Sequence, residues 1–165
     1  MQNKFTVLTV VTVTIITSLA IFFSGQINTA QAHCQVPCGI YNDAARIGAL
    51  AEDIITISKA ITKINELAGK SDATSINQAV RWVQTKDAHA SNIIKVISEY
   101  FLTQKVKPVS TGKKGDYQKY LESLARHHAV MVAAMKTKQN PTKQTAKALS
   151  NALHTLSHDY VKHNH

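Results

Sequence analysis

His33, Cys34 and Cys38 are the residues whose types and spacing best suit chemistry. They fall in His33-Cys34-Gln35-Val36-Pro37-Cys38-Gly39-Ile40-Tyr41, which contains both cysteines of the chain. Pro37 and Gly39 break any plain helix through this stretch and allow the chain to turn back on itself. Ala30-Gln31-Ala32 lies immediately upstream and has the A-x-A form of a leader-cleavage site. Cleavage after Ala32 makes His33 the N-terminus, with a free α-amine beside an imidazole and a thiol. The Cys34 amide nitrogen and thiolate can then close small chelate rings with that amine. Cys38, four residues on, can reach back with a second thiolate. The His33 imidazole can approach from the axial side.

A planar set of two nitrogens and two thiolates suits Ni(II) or Cu(II), whereas zinc prefers a tetrahedron. Thiolate and amide donors favour the higher oxidation state, so with nickel a Ni(III)/Ni(II) couple becomes accessible. Superoxide is a small anion with matching one-electron chemistry. Spacing alone leaves other fates open. Two cysteines in an exported chain also pair as a disulfide, here Cys34–Cys38, or remain free thiols. The corresponding functions are an exported nickel or copper carrier without turnover, and a purely structural bundle.

The leader has a positive start, Met1-Gln2-Asn3-Lys4, and an uncharged run from Phe5 to Phe23. That is the layout of a secretory signal peptide, and it implies export to a periplasmic, lumenal or extracellular space. The apolar run is also long enough to anchor an uncleaved precursor in a membrane.

The elements that must position the hook follow it. Ile47, Leu50, Ile54, Ile57, Ile61, Ile64 and Leu67 step by three and four, which predicts an amphipathic helix starting at Asn42 or Asp43 and ended by Gly69. A second helix opens at Ser71-Asp72 or Ser75 and carries Ile76, Val80, Val83, Ala90, Ile94, Ile97 and Phe101. Lys105 to Gly115 reads as a polar linker. A third helix begins at Asp116, with Tyr117, Leu121, Leu124, Met131 and Met135 on its apolar face. Asn140-Pro141 breaks it. A fourth follows with Pro141 in its first turn and Leu149, Leu153, Leu156 and Tyr160 on its stripe. Four such helices with short connections predict an all-α fold, an antiparallel up-down four-helix bundle. The expected organisation is a leader over 1–32, a metal-binding hook over 33–42 and the bundle over 43–165.

Composition agrees with helices: 44% hydrophobic but 6% aromatic, with three Pro and six Gly in 165 residues. Removing the leader leaves roughly 130 residues, enough for a single core without staples. The formal charge of +9 can attract anions. The basic residues are dispersed and not interleaved with aromatics, which argues against a nucleic-acid groove. His89, His127 and His128 read as ordinary helix histidines. His154 and His158 share a helix face and could chelate a metal, but His163 and His165 do not supply a well-placed third ligand. No Ser-His-Asp arrangement, phosphate loop or paired-carboxylate site stands out.

His-Cys-x-x-Pro-Cys-Gly-x-Tyr at a processed N-terminus resembles the nickel-containing superoxide dismutases. The resemblance extends more weakly through Trp82, Lys86, His89 and Glu99-Tyr100-Phe101. It implies superoxide dismutation by Ni(III)/Ni(II) cycling, one nickel per subunit, a homohexamer, and a protease that cuts before His33. Under it, His33 supplies the α-amine and axial imidazole, Cys34 its amide nitrogen and thiolate, and Cys38 the second thiolate. Tyr41 stands at the access channel as the catalytic hydroxyl, and Tyr100 matches a second family tyrosine. Lys86 is the nearest candidate for the basic residue of the second helix that supports the hook. Two departures are visible. Gln35 stands where the family often has Asp, and Gly48 stands where some relatives have a Glu that holds the axial histidine.

Overall fold

The structure is a computed structural model and describes residues 41–161. The leader and the hook residues His33 to Ile40 lie outside that range, as do His163 and His165. The described chain is built from helices alone: α1 (Asp43–Leu67), α2 (Ala73–Lys95), α3 (Lys114–Gln139) and α4 (Lys143–Ser157). A π-helical segment, Val96–Lys105, continues α2 directly. Each helix packs on its chain neighbour and α4 closes back onto α1, so the four run up and down around one core. This is the predicted antiparallel bundle.

The helix ends have local causes. Asn42 caps α1, its side-chain oxygen accepting from the Ala45 amide at 2.9 Å. Gly69 follows α1 with φ of +81°, a left-handed conformation that glycine adopts without a Cβ penalty. Asp72 caps α2 by accepting from Ser75 N–H. Thr142 and Thr145 form a reciprocal capping box on α4. Pro141 therefore precedes the cap instead of occupying the first turn. Helix α3 starts at Lys114, two residues before Asp116, and its cap residue Lys113 makes no side-chain capping bond.

Leu50, Ile57, Ile61, Ile93, Ile97, Phe101, Val130, Leu149 and Leu156 are fully enclosed. Each such side chain contributes roughly 1.5–3 kcal/mol through burial. The stripes of α1 and α4 are as predicted. The other two differ in part. On α3 the buried positions are His127, Val130, Ala134 and Thr137, while Leu121 and Met135 are exposed. Two polar residues occupy core positions because each finds a partner there. His127 bonds the Ser123 carbonyl and the Tyr160 hydroxyl, and Thr137 donates to the Ala134 carbonyl. On α2, Ile76, Val80 and Val83 face outward, and the buried face begins at Lys86 and continues through Ala90 and Ile93.

Polar bonds tie the helices at defined heights. Asp53 on α1 accepts from His89 Nδ1 at 2.6 Å and from Asn92 at 2.7 Å, both on α2. Lys86, only 1% exposed, donates from α2 to the Lys138 carbonyl near the end of α3. That places a cation at a helix C-terminus, where the backbone carbonyls favour it. Among the described residues no helix is long and apolar enough to cross a membrane.

Candidate metal centre

Tyr41 immediately precedes the α1 cap, so the start of α1 marks where the hook segment joins the bundle. In an up-down bundle this end also holds the π-helical segment, the start of α3 and the end of α4. Side chains from three of these elements and from the residues after α4 converge there.

Tyr41 is 44% exposed. Its ring tilts against that of buried Tyr100, with centroids 6.0 Å apart. The Lys105 ammonium sits 4.6 Å from the Tyr41 ring centre. Asp43, in the first turn of α1, joins the two partners. Its Oδ1 accepts from the Tyr100 hydroxyl at 2.7 Å and its Oδ2 pairs with Lys105 at 3.0 Å. The Arg46 guanidinium covers the Tyr100 ring at 4.0 Å. Two cations and one carboxylate thus surround two phenols. Burial, together with the bond to the Asp43 carboxylate, pushes the Tyr100 phenol above its ordinary range, and Arg46 opposes this in part. Tyr100 stays protonated and keeps donating to Asp43.

The π-helical segment explains why Tyr100 and Phe101, adjacent in sequence, are both fully buried. Its wider turns are marked by Val106 N–H bonding the Phe101 carbonyl five residues back. Thr103 and Gln104 side chains likewise bond carbonyls five residues back. Tyr100 is thereby aimed at Asp43, and Phe101 at Tyr160 and His127.

Behind this cluster, Phe101 packs edge-on against Tyr100 at 4.9 Å and tilted against Tyr160 at 4.5 Å. The Tyr160 hydroxyl lies 2.8 Å from His127 Nε2, and His127 Nδ1 lies 2.7 Å from the Ser123 carbonyl. A carbonyl can only accept, so Nδ1 carries the proton and Nε2 accepts from Tyr160. Burial holds His127 below the usual histidine range and raises the Tyr160 phenol well above its own. A cleft of about 640 Å³ borders the same end, lined by Lys105, Lys107, Lys113, Lys119 and Arg126 against Asp116 and Asp159.

Of the residues expected at the site, Tyr41 falls within this cluster. His33, Cys34 and Cys38 lie outside the described residues. Tyr100, which resembles a second family tyrosine in the sequence, lies against Tyr41. Lys86 does not join them within the protomer: it precedes Tyr100 by about 20 Å of helix and serves the opposite half of the bundle. Lys105 is the basic residue beside Tyr41. Sequence reasoning placed Lys105 in a linker and saw Asp43 only as a capping candidate. No local pattern links positions so far apart. Gly48 is exposed on α1, and a Cβ there would meet nothing within 4 Å. The His154 and His158 rings stack edge to face at 4.8 Å. Among the described residues no three His, Cys, Asp or Glu side chains come together to hold a metal ion.

The donors that the sequence offers to a metal are those of the hook, outside the described residues. With the free amine at His33 that cleavage after Ala32 is expected to give, amine, amide and two thiolates would make the planar N/S set that nickel accepts. The family model described as nickel-containing superoxide dismutase matches residues 28–164, a span that takes in the hook and the whole bundle. No curated protein and no solved structure matches the chain. A four-helix body and a family match that spans both it and the hook sequence lead to one assignment: the chain belongs to the nickel-containing superoxide dismutase family.

Proposed function

We propose that His33, Cys34 and Cys38 hold the nickel of this dismutase and that the Tyr41 cluster forms the wall of its substrate channel. The observation that carries this reading is the convergence of Tyr41, Tyr100, Asp43 and Lys105 where the hook segment enters the bundle. Three peptide units separate Cys38 from Tyr41, so covalent geometry keeps their Cα atoms within about 11 Å.

Two superoxide anions and two protons give dioxygen and hydrogen peroxide. Bound nickel supplies the one-electron couple. The chain's residues do the rest. Lys105 and Arg46 offset Asp43 and leave a net positive charge beside Tyr41, and the basic cleft extends that field for an incoming anion. The hydroxyl of Tyr41, an exposed residue, offers a hydrogen bond to superoxide or water. Tyr100 and Lys105 fix the position of its ring. Asp43 locks both of those through its two carboxylate oxygens.

The same reading has the leader removed by a protease that cuts before His33, with the mature protein exported. It has the subunits assembled as a homohexamer. Ile76, Val80 and Val83 support assembly, since they form an exposed apolar line on one face of α2 at spacings of four and three.

N-terminal sequencing and intact mass of the purified protein test the site. The expected N-terminus is His33, with one nickel per chain and a rhombic Ni(III) spin signal. Cys34→Ser or Cys38→Ser should lose nickel and turnover while helix content stays the same. An N-terminus elsewhere, or nickel retained in both serine variants, would sink the site as drawn.

A further inference from the structure

Two tyrosines at the hook end, Tyr100 buried and Tyr160 partly so, each have a base on the phenol proton. Tyr100 donates to Asp43 at 2.7 Å and Tyr160 donates to His127 Nε2 at 2.8 Å. Aromatic rings join them without a gap, from Tyr41 to Tyr100, then Phe101, then Tyr160, at centroid distances of 6.0, 4.9 and 4.5 Å. Dismutation does not require the inner half of this chain. Phenol oxidation at moderate potential does require a base on each phenol, because losing an electron makes the phenol strongly acidic and its proton must have somewhere to go.

We propose that this chain is a protective redox relay, carrying oxidising equivalents from Tyr41 to Tyr160, where a small anionic reductant of the enediolate class docked in the basic cleft removes them. The hazard is the enzyme's own product. Hydrogen peroxide that takes one electron from superoxide, the enzyme's own substrate, and one proton gives dioxygen, water and hydroxyl radical. Hydroxyl radical abstracts the Tyr41 phenol hydrogen, giving water and a Tyr41 phenoxyl radical. An electron then passes from Tyr160 through Phe101 and Tyr100 to Tyr41. Tyr41 takes a proton from solvent and is restored. The Tyr160 proton moves to His127 Nε2, leaving a neutral Tyr160 radical and an imidazolium whose Nδ1–H still bonds the Ser123 carbonyl. The reductant finally gives one electron to Tyr160, and His127 returns the proton.

Burial favours this endpoint. The Tyr160 phenol is held protonated and His127 is held neutral, so donor and acceptor are both in the required state at rest. The exit is also in place. Tyr160 is only partly buried and lines the same cleft as Lys119 and as Arg126, which is paired with Asp159 at 2.9 Å; with Lys105, Lys107 and Lys113 the cleft keeps a net positive charge that suits an enediolate anion. The metal ligands take no part, so the relay can be tested with an external oxidant. Its failure then leaves the nickel-site reading intact.

The full-length mature protein is oxidised by a flash-excited ruthenium polypyridyl with persulfate, frozen at increasing delays and examined by electron spin resonance. A long-lived tyrosyl signal is expected in the parent. Tyr160→Phe, which keeps the ring, should lose most of it, whereas the double variant Tyr117→Phe, Tyr120→Phe should not. 3-Fluorotyrosine placed at position 160 should change the hyperfine pattern of the late signal, a readout that holds even if Tyr160→Phe folds poorly. Ascorbate should quench the late signal with saturation, and Lys119→Gln with Arg126→Gln should remove that saturation. A late signal unchanged by both the Phe and the fluorotyrosine substitutions at 160 overturns the relay. Quenching that is strictly proportional to ascorbate and equal in the cleft variant overturns the exit.

Discussion

The Tyr100 hydroxyl donates to Asp43 across 2.7 Å, joining residues 57 positions apart and fastening the π-helical segment to the first turn of α1. The same carboxylate holds Lys105 through its other oxygen. Removing the phenol oxygen should therefore loosen the whole hook end. Tyr100→Phe keeps the buried ring and deletes only the bond to a charged acceptor, which contributes about 1.5–3 kcal/mol. Urea unfolding should show a loss of that size. Hydrogen exchange should rise at the start of α1 and along Val96–Lys105, with the Asp53–His89 region unaffected.

His127 gives stability a pH dependence of known sign. Its folded pKa lies below the ordinary value of 6.5, because burial disfavours the imidazolium. The unfolded chain therefore takes up the proton first as pH falls. Stability from this group is complete above about pH 6.5 and is lost as pH drops from there toward the lowered folded value. In that window the slope approaches about 1.4 kcal/mol per pH unit for one proton. Thermal melts between pH 8 and pH 5 should show the decline. His127→Gln should lower the melting point at pH 8 and flatten the curve.

Lys105 and Lys86 should separate catalysis from stability. Lys105 faces Tyr41 and the basic cleft, so Lys105→Met removes the cation nearest the proposed channel and leaves Asp43 with less compensation. Its kcat/KM at low ionic strength should fall several-fold, and the deficit should shrink as salt screens the field. Lys86 is enclosed and serves the Lys138 carbonyl. Lys86→Ala should cost about 1–3 kcal/mol through the orphaned carbonyl and lost packing. It should leave per-site turnover and its salt dependence at the parent level, measured well below the melting temperature.

The helices were legible because apolar residues recur at helical spacing, and the stripes of α1 and α4 emerged with the right phase. The α3 stripe did not, since its core positions include His127 and Thr137, whose polar groups are satisfied inside the bundle. A hydrophobic pattern gives such positions no weight. The N-terminal half of α2 misled in the opposite way: Ile76, Val80 and Val83 have helical spacing and face outward. The proposed hook donors stand out in the sequence because they lie within six residues. The Asp43–Tyr100–Lys105 cluster was not. It depends on the π-helical turn and on a contact between distant segments, neither of which leaves a local signature.

Gly48 offers a test of the family's missing carboxylate. It is exposed on α1 and open around its Cβ, so a longer side chain fits without displacing anything. Gly48→Glu should also strengthen α1, since glycine in a helix interior is about 0.5–1 kcal/mol less favourable than an ordinary residue. If relatives use a Glu there to hold the axial histidine, the variant should sharpen the Ni(III) spin spectrum and alter its axial nitrogen hyperfine coupling. Gly48→Gln separates the effects: it should raise the melting point similarly while changing the spectrum less, because it lacks the charge.

The exposed line Ile76, Val80 and Val83 should decide assembly. Three neighbouring apolar side chains on one helix face are costly to leave in water and favour contact with another subunit. Placing one carboxylate in that line, as Val80→Asp, would bury an unpaired charge in any such contact. Sedimentation velocity should show the parent as a hexamer and the variant as smaller species. Circular dichroism should show unchanged helix content, since Val80 lies outside the protomer core. A hexamer that survives Val80→Asp and Val83→Asp would place the subunit contacts on another face.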